Sequence, residues 1–151
     1  MTDKNFYYLL ISSKGEFENT SIKYLGIVKE ELVAQQFCEQ KNEVYAQACR
    51  IYEKWEKEVL IPWQLKTKAP LLKMPVKKNL TQAQEEEVFN TYTTERKNFY
   101  NEIRGLTDSY LESLQDSPGL RFLKENFKSE SGSGLEWVYQ EWSYEKVEVL
   151  T

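Results

Sequence analysis

Lys66, Lys68, Lys73, Lys77 and Lys78 fall within thirteen residues, and no acidic residue occurs between Glu58 and Glu85. Trp63 opens this basic stretch, with Leu65, Leu71, Leu72, Met74 and Val76 set among the lysines. Cationic heads mixed with apolar groups around Pro62, Pro70 and Pro75 suit a phosphate backbone, an acidic protein face or a nucleotide. They suit equally well a solvated crossover pinned to the body by its apolar side chains. Connections of such length are usually functional or disordered, so both readings stay open. Trp63, Lys66, Lys68, Lys73, Lys77 and Lys78 are the candidate partner-binding residues.

The remaining reactive inventory is thin. The chain has no histidine, the usual general base, metal ligand and triad partner. Its two cysteines, Cys38 and Cys49, share a face if one helix carries both. They then stand roughly 16 Å apart by the helical rise, beyond disulfide reach. They read as small buried apolar residues. No Gly-rich phosphate loop, CxxC pair or nucleophile elbow occurs, and no Asp/Glu pair stands out from ordinary surface charge. The expectation is a protein that is not an enzyme and needs no metal or cofactor.

Two other groups could carry recognition. Glu130, Glu136, Glu141, Glu145 and Glu148 face Lys146 alone near the C-terminal end. They either meet a basic partner or guard an exposed sheet edge. The aromatics are numerous, with ten Tyr and four Trp. Tyr45, Tyr52, Trp55, Tyr92, Phe99 and Tyr110 are assigned to a seam between helices. Tyr100, Trp137 and Trp142 are left partly exposed, as interface anchors often are. Lys41 and Arg96 interrupt apolar stripes; they snorkel, pair with an acid or line an anion pocket.

Positioning these groups falls to recognisable elements. Residues 6–11 form a continuous apolar run of β type, expected as a central strand buried on both faces. A second strand over 21–28 pairs with it through a longish polar connection. From about 29 to 60, Ala34, Cys38, Lys41, Tyr45, Ala48, Tyr52, Trp55 and Val59 keep a 4-3 spacing, which predicts a long amphipathic helix. Three prolines bar regular helix throughout 60–79. Thr81 with Gln84 forms a capping box that opens a second helix to about 115, striped by Phe89, Tyr92, Arg96, Phe99, Ile103, Leu106 and Tyr110. Gly105 inside it marks a bend or a close contact. Ser117-Pro118 starts a short third helix ending near Phe127. Residues 128–134 read as a polar loop. The tail 135–150 is β-like, but its alternation slips phase twice, which suggests a bulged strand or a tight hairpin.

These elements imply one α+β domain over 1–151: a small antiparallel sheet from about 5–28 and 135–150, and a helical excursion over about 29–127 forming an antiparallel hairpin plus a short helix. A net charge of −4 disfavours a whole-chain nucleic-acid or membrane-surface binder. With no signal-peptide layout and no spanning apolar run, a cytoplasmic location is expected, the host cytoplasm if phage-encoded.

Phe6 to Ile11 as an aromatic strand, then Ala34, Phe37, Cys38, Glu39 and Asn42, then Tyr144, Glu145, Val147, Glu148, Val149 and Leu150 together form a pattern. It resembles that of small uncharacterised bacteriophage accessory proteins, over about a third of the chain. The resemblance implies a phage-encoded inhibitor that blocks a host enzyme or defence system by binding it. A host protein is the expected partner. The alternative is a nucleic-acid or small-nucleotide binder using the basic linker, and a homodimer is a third reading.

Overall fold

A strand whose every residue is apolar or aromatic must lie between two others, or it would leave a wholly greasy edge in water. The computed structural model, which describes residues 5–16, 19–67, 79–129 and 134–149, gives the run this central place but does not bury it on both faces: Tyr8 and Leu10 are buried, while Tyr7 and Leu9 on the opposite face are only partly so. Strand β1 (Asn5–Glu16) is the middle of a three-stranded antiparallel sheet, flanked by β2 (Asn19–Val28) and β3 (Tyr139–Val149). Helices α1 (Glu31–Trp55), α2 (Ile61–Thr67), α3 (Gln82–Ser113) and α4 (Pro118–Asn126) complete an α+β fold. No helix among the described residues is long and apolar enough to cross a membrane.

The chain divides into two compact units. The first comprises Met1–Ile51, Asp116–Phe127 and Trp137–Thr151; the second comprises Tyr52–Gln115 and Lys128–Glu136.

In the first unit, Tyr8 and Leu10 of β1 and Trp142 of β3 project from one sheet face onto Ala34 and Cys38 of α1. The N-terminal part of α1 therefore buries its stripe on the sheet, not in a seam between helices. Tyr45 follows the same stripe, donating its hydroxyl to the Val138 carbonyl at 2.7 Å. Its ring meets Phe122 and Phe127 edge-on, and Phe122 in turn meets Trp142. Helix α4 begins where expected, with the Ser117 hydroxyl accepting from Leu120 N–H and Pro118 in its first turn. Gly119 lets it approach α1: a Cβ there would stand 2.4 Å from Gln47 Cβ.

Two β expectations need correction. The β1–β2 connection is short, since Glu16 pairs with Asn19. Strand β3 is neither bulged in its pairing with β1 nor a hairpin; it runs in unbroken register from Asn5↔Val149 to Gly15↔Tyr139. The bulge lies in β2, where Leu10 faces Gly26 and Ile11 faces Tyr24, leaving Leu25 unopposed. Gly26 adopts φ +153°, a conformation that side-chain-bearing residues rarely take.

In the second unit, helix persists past Leu60 despite Pro62. A proline lacks the N–H for the carbonyl four residues back, and its ring crowds that carbonyl. The chain widens into a π turn, Glu56–Leu60, in which Ile61 N–H reaches Glu56 O, and α2 then carries Pro62 in its first turn. Trp55 donates its indole N–H to Thr107 at 3.0 Å, and Trp63 packs against Phe99 with the rings tilted by 43° and centroids 4.3 Å apart. Eight residues forward on one side match eight backward on the other, so these helical segments run antiparallel.

The capping box at Thr81 forms in both directions. Along α3 the buried residues are Ile103, Thr107 and Leu111, while Phe89 and Leu106 are exposed. Thr107 can lie in the core because its hydroxyl also donates to Ile103 O at 2.7 Å. Gly105 marks no close contact, since a Cβ there would meet nothing within 4 Å.

Candidate functional site

Of the six residues singled out in the basic stretch, Lys68, Lys73, Lys77 and Lys78 lie outside the described residues. Lys66 is exposed on α2. Trp63 is only 6 % exposed and serves as a packing residue against Phe99. The two seam cations resolve simply: Lys41 Nζ lies 5.8 Å from the Phe37 ring centroid, and Arg96 lies 5.5 Å from that of Tyr100. Cationic groups over aromatic faces keep their charge toward water while covering apolar surface.

Register builds a different site, on the sheet face opposite α1. Alternation places Tyr7, Leu9 and Ile11 of β1 on that face. Pairing sets Ile27 beside Leu9, Tyr24 beside Ile11 and Ile22 beside Ser13 from β2. On the other side stand Val149 opposite Asn5, Val147 opposite Tyr7, and then Glu145 and Glu141 opposite Leu9 and Ser13. Ile22, Tyr24 and Ile27 are 60, 66 and 65 % exposed. Tyr7, Leu9, Ile27, Val147 and Val149 enclose an apolar hollow of about 360 Å³. The charged side chains at strand positions of this face are both acids. The Tyr139 hydroxyl donates to Glu141, and that bond holds the phenol above its ordinary pKa.

The sequence pattern alone does not single out this face, although it carries a signal of it. The phase slips in 135–150 mark a change of face: Trp142 belongs to the buried cluster on the helix side, while Val147 and Val149 point to the opposite side.

The two edges of the sheet differ. Asn42 of α1 clamps β3 at both backbone groups of Trp142, donating to its carbonyl at 2.9 Å and accepting from its N–H at 2.9 Å. The side-chain amide thus satisfies one β3 residue much as a neighbouring strand would. Strand β2 is an edge with residues 20–27 exposed throughout.

The Cys38 thiol shows no activated environment. Cys38 is buried, and that burial pushes its pKa up, away from the reactive thiolate. Among the described residues, no group of His, Cys, Asp and Glu could hold a metal ion. In the second unit, Arg104, Thr107, Asp108, Lys128 and Ser129 line a smaller hollow of about 150 Å³.

No protein-family model, curated protein or solved structure matches the chain.

Proposed function

We propose that this chain is a non-catalytic protein-binding module, of phage or mobile-element origin, that blocks a host enzyme or defence protein by occluding one of its surfaces. The observation that carries this reading is the uncovered sheet face, with Ile22, Tyr24 and Ile27 standing in water beside Val147 and Val149. Contiguous apolar patches on a soluble surface usually mark places where another molecule sits. The non-catalytic part rests on the absence of histidine from the sequence and on the burial of Cys38.

A second reading, a nucleotide or nucleic-acid binder, is favoured by the lysine-rich 66–78 stretch and by Arg104 and Lys128 around the smaller hollow. Its binding would fall steeply with salt. Affinity capture from bacterial lysate, with and without nuclease treatment, separates the two. The expected result is a stoichiometric protein partner that survives nuclease, is retained by wild type, and is lost by an Ile22→Lys/Ile27→Lys variant whose thermal melt is unchanged. Equal recovery on both baits, or recovery of nucleic acid alone, overturns the protein-binding reading through this face.

A further inference from the structure

We infer that the occupant of the open sheet face is a basic amphipathic α-helix of the partner protein. The inference rests on the protein-binding reading above and names the chemistry of what binds. It starts from an asymmetry within the first unit. A three-stranded sheet has two faces, and α1 covers only one, through Ala34 and Cys38. The other is apolar over Tyr7, Leu9, Ile27, Val147 and Val149, around a hollow rather than a flat surface. A twisted sheet and a helix are complementary in shape, and among the described residues of the first unit no helix layer covers this second face as α1 covers the first. Side chains one and two turns apart on a helix stripe fill such a hollow as α1 fills the opposite face.

Charge decides between a foreign helix and a second copy of this chain. Beyond the hollow the face divides. Along β2 it continues apolar through Tyr24 and Ile22; along β3 it continues as Glu145 and then Glu141. The strand positions of this face carry no lysine or arginine to offset them. Two copies packed face to face would bring acids toward acids or press them onto apolar surface, within a chain already at −4. A helix with an apolar stripe flanked by lysines satisfies both halves at once. Glu141 and Glu145 are about 13 Å apart along an extended strand. Lysines about two turns apart on one helix flank reach both.

The probe is a fluorescently labelled leucine–lysine peptide of about four helical turns with a single apolar stripe. Its counterpart carries glutamate in place of lysine. Each is titrated by anisotropy against the full chain, with sedimentation velocity of the chain alone. The lysine peptide is expected to bind at least ten-fold more tightly than the glutamate peptide. Ile27→Lys should remove that binding, and Glu141→Gln/Glu145→Gln should weaken it several-fold and flatten its salt dependence. The two glutamines preserve shape and are exposed, so that variant stays informative even if Ile27→Lys folds poorly. Equal binding of the two peptides, no binding of either, or indifference to both variants overturns the inference. So does a wild-type dimer at neutral pH that Ile27→Lys dissolves, since the occupant is then a second copy. If the peptides fail while lysate capture still depends on Ile22 and Ile27, the helix is wrong and the protein-binding reading stands. If both fail, that reading falls as well.

Discussion

Tyr45 is half-buried, and its hydroxyl joins two tasks: it ties α1 to the chain entering β3 through Val138, and it lies beside Cys49. Burial raises its pKa well above the ordinary tyrosine value, with the Cys49 hydrogen bond adding to the shift. The folded chain therefore holds this proton more tightly than the unfolded chain does. The stabilisation is complete below about pH 10, where an unfolded tyrosine ionises, and is lost as pH rises from there through the higher folded value. Tyr52 and Tyr110 are shifted the same way, chiefly by burial. Denaturant melts at rising alkaline pH should show stability falling above about pH 10. Tyr45→Phe should make that fall shallower, because one of the linked protons is gone. An unchanged slope in the variant would mean that the Tyr45 hydroxyl is not held by the fold.

Helices α3 and α4 show how far an element can be read from its ends and its stripe. Their starts were legible, because Thr81 with Gln84 and Ser117 with Pro118 are local signals acting on backbone three residues away. What each helix packs against was not. The 4-3 stripe of α1 says that a face is buried but not whether a helix or a sheet covers it, and here Ala34 and Cys38 go to the sheet. Thr107 was overlooked because its burial depends on Trp55, 52 residues away in sequence. The glycines were equally opaque. Gly105 faces open space, so Gly105→Ala should stabilise the protein by about 1 kcal/mol through helix propensity alone. Gly119→Ala places a Cβ against Gln47 and the backbone of Ala48, and should cost about 2 kcal/mol through overpacking. Urea titrations of the two variants should move the midpoint in opposite directions. Two shifts of the same sign would contradict the packing of α4 on α1.

At the scale of the whole molecule, composition and surface pull against each other. The α+β class and the sheet built from both ends of the sequence were legible, since an all-apolar strand needs two neighbours. The open face was not. Period two assigns residues to faces without saying which face is covered, and Val147 and Val149 resemble core valines until the register is known. An exposed apolar face on a monomer needs something to prevent self-association, and a net charge of −4 with Glu141 and Glu145 on that same face supplies long-range repulsion. Near the isoelectric point of about 5.1 that repulsion vanishes while the apolar area remains. Light scattering should therefore find the chain monomeric at neutral pH and low salt, with association rising as pH approaches 5.1. Ile27→Lys should suppress the association by adding positive charge and removing apolar contact at the centre of the face. If the variant associates as readily as wild type, the chains meet through another surface. The apolar face would then lack the stickiness that partner binding requires of it.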